Sequence, residues 1–76
     1  MMIRYDDRDD GPVGPVRDLQ RALLADGRDL PRYGDDGHLG AEGWVALAAA
    51  ARARSIALPP RAPGAVVPAA LLGALR

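Results

Sequence analysis

Cysteine, lysine, threonine and asparagine are absent from the 76-residue chain, and Ser55, His38 and Glu42 are the only serine, histidine and glutamate. Without cysteine there is neither a disulfide framework nor a thiolate zinc site. Nucleophilic catalysis needs a nucleophile with a base in hydrogen-bond reach. Ser55 and His38 are the sole candidates for such a pair, and no oxyanion-hole motif surrounds Ser55, so no catalytic residue, no enzyme and no cofactor are expected. No run of 18 apolar residues exists to span a membrane. The first residues, Met1 to Asp7, are acidic and carry no apolar core of a signal peptide. The expected place is therefore the cytoplasm, with release by lysis or packing into a virion as the route out.

A chain of this length forms one domain and buries only about 60% of its unfolded surface, which leaves room for one small core and one binding face. The formal net charge is zero but unevenly placed. Residues 1–38 carry six arginines and nine aspartates, and residues 39–76 carry four arginines and one glutamate. A molecule polarised in this way suits association with a charged partner, or head to tail with copies of itself as a homo-oligomer. No basic stripe is interleaved with aromatics, so nucleic acid is not an expected partner.

Along the chain, residues 1–14 read as an extended arm. The run Asp6-Asp7-Arg8-Asp9-Asp10 is solvated, and Gly11-Pro12 and Gly14-Pro15 separate it from the helical part of the chain. It is either a disordered tail or a docking arm in which Ile3 and Tyr5 clasp a neighbour. Val16, Leu19, Ala22 and Leu23 at helical spacing predict a first helix over residues 15–26, opened by Pro15 and closed by Gly27. Residues 28–40 read as a structured loop, with Leu30 and Leu39 as plugs into the core and Asp36-Gly37 as a tight turn. A second helix is predicted over residues 41–54, with Trp44, Leu47, Ala48 and Ala51 as its inner stripe and Val45 beside it. Glu42 in its first turn and Arg52 and Arg54 in its last complement the helix dipole. A proline-rich connector over 57–66 leads to a short helix expected over 67–75. The expected core is Val16, Leu19, Leu23, Leu30, Leu39, Trp44, Leu47, Ala51, Ile56, Leu71 and Leu75. Trp44 reads as a core anchor. The aspartate pair Asp35-Asp36 lacks the spacing of a calcium loop and reads as turn chemistry, so no metal is expected.

Two of these segments carry a resemblance. Val16-Arg17-Asp18-Leu19-Gln20-Arg21-Ala22-Leu23 followed by Gly27 is similar to the V-x-x-L-Q-x-x-L helix of peptidoglycan-binding-like domains of cell-wall hydrolases and phage proteins. Asp36-Gly37-His38-Leu39-Gly40-Ala41-Glu42-Gly43 resembles the D-G-x-[FL]-G-x-x-T turn of the same family, and Ser55-Ile56 stands where the family has a G-[LI] pair. The match covers roughly residues 15–56. Gly43 replaces the family's threonine, which weakens the start of the second helix, and Ala50-Ala51 replaces an aromatic-glutamine pair, which thins the core.

The resemblance implies an all-α, small three-helix bundle of peptidoglycan-binding-domain type over residues 15–76, preceded by the arm. It implies a non-catalytic module that recognises peptidoglycan in a groove beside the 28–40 loop. The residues it points to are Arg28, Arg32, Tyr33, Asp36 and His38. Arg28 and Arg32 either grip a stem-peptide carboxylate or are ordinary surface charges. Tyr33 either closes the loop over the core or offers its face to a sugar ring. His38 is exposed polar surface or a donor to a ligand carboxylate or hydroxyl. The alternative function is a small docking protein of a phage virion or similar assembly, whose partner is another protein held through the N-terminal arm.

Overall fold

Positions 16, 19, 20 and 23 repeat at the helical spacing i, i+3, i+4, i+7, and they are the four residues that the first helix turns inward. In the computed structural model, which describes residues 2–75, the helices are α1 (Pro15–Ala25), α2 (Ala41–Ala53) and α3 (Ala69–Ala74). The architecture is all-α and three-helical, as expected, and among the described residues the only extended pairings are two isolated antiparallel bridges. No helix among them is long and apolar enough to cross a membrane.

Both long helices end in the same way. After α1, Gly27 N–H donates to Leu24 O at 3.1 Å and Arg28 N–H to Leu23 O at 3.0 Å. After α2, Ser55 N–H donates to Arg52 O at 3.2 Å and Ile56 N–H to Ala51 O at 2.9 Å. These are two Schellman caps, which satisfy carbonyls that the last turn leaves free. Glycine fills the left-handed position in the first cap. In the second, Ser55 occupies it at φ 55°. A left-handed conformation costs a residue with a Cβ about 1–2 kcal/mol. Ser55→Gly is therefore expected to stabilise the chain by about 1 kcal/mol, read as a rise in Tm of about 4–8 °C in a thermal melt. No change, or a fall, would show that serine makes a compensating contact there.

α2 buries a different stripe from the one expected. Trp44, Leu47 and Ala51 face inward, but Ala46 and Ala50 join them, whereas Ala48 is half-buried and Val45 is 70% exposed. Every position from 44 to 51 is apolar, so hydrophobicity alone does not set the rotation of this helix. The other expected core residues are buried, except that Ile56 is only half-buried against them. Trp44 is a core anchor; its indole N–H donates to Pro59 O at 3.2 Å, which fastens the proline connector to α2.

The stretch 1–14, expected as an arm apart from the domain, is not apart from it: from Met2 onward it runs as two short segments joined by a turn at Tyr5-Asp6, where Asp7 N–H donates to Arg4 O at 3.1 Å and Asp6 holds φ at 73°. Ile3 is 2% exposed within the core. Its carbonyl accepts Val67 N–H at 2.8 Å, and Tyr5 N–H donates to Ala65 O at 2.8 Å, around an Arg4–Val66 bridge. Leu39 N–H donates to Asp7 O and Asp9 N–H to Gly37 O, each at 2.8 Å, around an Arg8–His38 bridge. Val67, expected to begin the last helix, is buried in this pairing instead, and Pro68 becomes the N-cap of α3.

Asp9 supplies what the start of α1 lacks. Gly14 at the N-cap has no side chain, and the Asp9 carboxylate accepts Val16 N–H at 3.0 Å and Arg17 N–H at 2.8 Å in its place. The glycine is required for this approach, because a Cβ at position 14 would lie 2.3 Å from Asp9 Cγ.

Candidate functional site

Gln20 is the one buried polar residue among the described residues, 2% exposed on the inner face of α1. A buried amide must find partners, and it finds them in the loop between α1 and α2. Its Oε1 accepts Gly37 N–H at 2.8 Å. Its Nε2 donates to Asp36 Oδ1 at 2.9 Å and to His38 O at 3.0 Å. Asp36 Oδ1 also accepts His38 N–H at 3.0 Å, which closes an Asx turn. Gly37 holds φ at +81°, a conformation that glycine adopts without a Cβ penalty. Leu39 then drops into the core with no exposed surface.

The outer half of the loop is held from α2. Glu42 Oε2 accepts Arg32 N–H at 2.8 Å, and its Oε1 accepts Tyr33 N–H at 3.0 Å. Leu30 anchors the turn from below, and Gly34 N–H returns to Leu30 O at 3.0 Å. Each long helix thus fixes one half of the loop, α1 also through Arg17 Nε, which donates to Asp35 O at 2.7 Å, and Arg21 Nε, which donates to Asp35 Oδ2 at 2.8 Å. The third support comes from the N-terminal segment, where Asp6 Oδ1 meets His38 Nε2 at 2.5 Å. Tyr5 packs edge-on against Trp44, with ring centroids 5.8 Å apart, and carries Arg61 over its ring.

These supports frame an open groove of about 730 Å³. Of the five residues expected at a site, Arg32, Tyr33, Asp36 and His38 line it. Arg28 does not. It turns to Asp26 (Nε–Oδ2 3.3 Å), which is also gripped by Arg54 through two bonds of 2.6 and 3.1 Å, so Arg28 belongs to a clamp between the ends of α1 and α2. Tyr33 does not close over the core. It is 61% exposed, with the Arg32 guanidinium 5.7 Å from its ring centre. Gln20, Glu42, Tyr5 and Asp6 also line the groove and were not among the expected residues. The spacing of Gln20 within the apolar stripe was the signal available for it.

Three carboxylates are held below their ordinary range. For Asp26 the Arg54 hydrogen bond is the main cause, opposed by desolvation and helped by Arg28. For Asp35 it is the Arg21 hydrogen bond, assisted by its own backbone N–H. For Asp36 the largest single influence is burial, which pushes upward, but hydrogen bonds from Gln20 and His38 N–H and the His38 charge together outweigh it. A depressed folded-state pKa contributes stability that is complete above the unfolded value and lost as pH falls through the folded one. The Tm is therefore expected to hold from pH 7 to about pH 5 and to fall steadily below about pH 4. Asp36→Asn should flatten that acid limb in a melt series. A wild-type Tm that rises on acidification would contradict the assignment.

Among the described residues no group of three or more His, Cys, Asp or Glu side chains gathers in a way that could hold a metal ion. Comparison with family models, with curated proteins and with solved structures returns no match to this chain.

Proposed function

We propose that the chain is a non-catalytic binding module of peptidoglycan-binding type, and that it recognises peptidoglycan in the groove beside the 28–40 loop. The observation that supports this most is the Gln20 junction. The two segments that resemble the wall-binding family, one on α1 and one in the loop, form a single hydrogen-bonded corner. That corner leaves Arg32, Tyr33 and His38 facing the groove from a braced backbone. Braced binding groups lose less conformational freedom when a ligand arrives.

The chemistry suits a glycan that carries a peptide. The exposed Tyr33 ring matches the apolar face of a sugar. The Arg32 guanidinium matches a stem-peptide carboxylate. Asp36 offers acceptor capacity to hydroxyl or amide donors beyond the bonds it makes within the loop.

In a sedimentation assay with purified sacculi at low salt, the wild-type chain is expected in the pellet. Tyr33→Ala should weaken retention about tenfold, the size of a typical aromatic contact at a binding site, with an unchanged Tm because the side chain is solvated. Wild-type protein that stays in the supernatant would remove the wall-binding reading. The second reading, a docking protein of a virion or similar assembly, is favoured by the charge division between the two halves of the sequence. It predicts no sacculus binding and salt-sensitive association with another protein.

A further inference from the structure

We propose that the N-terminal segment exchanges between two copies of this chain, residues 2–9 of one copy filling the cleft that the same residues fill in the other. The cleft lies between Gly37–Leu39 and Ala65–Val67, and it is completed by backbone. It offers Gly37 O, Leu39 N–H and O, Ala65 O and Val67 N–H, and the segment satisfies all five. Ile3 fills the apolar end, and Asp9 caps α1 at the other. Every one of these contacts is available in identical form to the segment of a second copy. Exchange therefore forfeits none of them, which is why exchange of an identical element is a low-cost route to a dimer.

The hinge decides the balance. Asp10 to Val13 are exposed, and the sequence Asp10-Gly11-Pro12-Val13-Gly14-Pro15 carries two glycine-proline pairs. In the closed chain this short stretch must double back so that Asp9 reaches the first N–H groups of α1, seven and eight residues ahead. Proline fixes φ near −65° and favours extended chain, and a short, stiff hinge held in a reversal invites exchange. In the exchanged form the hinge runs straight. Straightening gives up the hydrogen bond that Arg17 Nη1 donates to Pro12 O in the closed chain and leaves Val13, 71% exposed there, free of any contact that must be broken.

The exchange alters the groove as well. Tyr5 and Asp6 line it, so in the dimer each groove is completed by the partner copy. If the wall-binding reading holds, two grooves on one particle raise avidity for a polymeric ligand. The exchange itself stands without that reading.

The chain has no cysteine, so a cross-link reports the topology directly. Arg4 and Val66 face each other as a pair flanked by Ile3 O···Val67 N–H and Tyr5 N–H···Ala65 O. Such a non-hydrogen-bonded pair has Cα atoms about 4.5 Å apart, within disulfide reach, and both residues are exposed.

The full chain carrying Arg4→Cys and Val66→Cys is unfolded reduced, refolded at about 10 μM and at about 1 mM, the range set by a short tether's effective concentration, and then oxidised. The closed chain gives an intrachain link at 8.0 kDa. The exchanged dimer gives a covalent species of twice that mass with no free thiol. Its ratio to monomer should rise at least about tenfold over that concentration range, and inserting four Gly/Ser residues after Val13 should reverse the rise. In the unsubstituted chain, co-refolding of two differently isotope-labelled samples should give intermolecular contacts between Ile3 and Val67. Monomer alone at the higher concentration, a dimer indifferent to hinge length, or a dimer whose links are all intrachain would overturn the proposal.

Discussion

Gln20→Leu is expected to lower stability by about 3 kcal/mol, because it removes the acceptor of the buried Gly37 N–H together with two further hydrogen bonds. Leucine preserves volume and apolar surface, so the loss is polar in origin. A domain of this length has roughly 4–11 kcal/mol in total, and the substitution should move Tm down by about 12–24 °C. Gln20→Glu separates this account from simple intolerance at the position. Glutamate keeps the acceptor for Gly37 N–H but sets a second carboxylate against Asp36. Its protonation is opposed less in the fold than in water, so its folded-state pKa is raised. The deficit should be largest at pH 7 and shrink as pH falls towards 5, opposite in sign to the acid limb of the wild type. A Gln20→Leu chain with wild-type Tm would show that the corner is held by packing alone.

Leu39→Ala is expected to cost about 2–5 kcal/mol, the range for truncating a buried leucine whose surroundings do not collapse. Leu39 has no exposed surface, and its Cδ1 fills the space beside Gly43, where a Cβ would come within 2.8 Å of it. This explains why position 43 is glycine. The residue weakens the start of α2, yet it makes room for the loop's anchor. The two positions should therefore be coupled. Gly43→Ala alone sets a gain in helix propensity of about 1 kcal/mol against the clash. In the Leu39→Ala background the clash is gone and the gain remains. A double-mutant cycle by chemical denaturation should return a favourable coupling of about 1 kcal/mol. Strict additivity would mean that Leu39 moves aside freely.

The first two helices were legible because residues at their ends act locally, whereas the start of α3 was set by the pairing of Val67. Pro15 suits a first turn, and Gly27 sits where a left-handed cap must form, whereas nothing local marked Ser55 for the same position at the end of α2. The inward turn of Leu39 was legible too, from an apolar residue isolated among glycines and aspartates. The rotation of α2 was not, because an alanine run has no polar face to mark it. Packing chose Ala46 and Ala50 over Val45 and Ala48. The N-terminal segment misled for a related reason. Its charged residues report solvation, which is real, since Asp6, Arg8 and Asp10 are exposed. What holds it in place is backbone pairing across bridges that span 30 positions (Arg8–His38) and 62 positions (Arg4–Val66), and no local pattern carries that information.

For the groove, the residue types on its rim were legible and the supports beneath it were not. Arg32, Tyr33 and His38 stand out in a turn-rich loop. Glu42 reads as a dipole partner at a helix start, and only the structure shows both of its oxygens holding the loop backbone. Arg28 differs from Arg32 because Asp26 lies two residues away and Arg54 is brought beside it from the end of α2. Spacing along the chain cannot reveal that third partner.

Residue-resolved NMR of the ¹⁵N-labelled chain, titrated with soluble disaccharide-peptide fragments of peptidoglycan, tests the central claim most directly. The account predicts amide shifts concentrated at Arg32, Tyr33, Gly34 and His38, with smaller ones at Tyr5 and Asp6, and little change along Arg52 to Arg61 on the opposite charge half. An unchanged spectrum at millimolar fragment, or shifts centred on that second stretch, would contradict it.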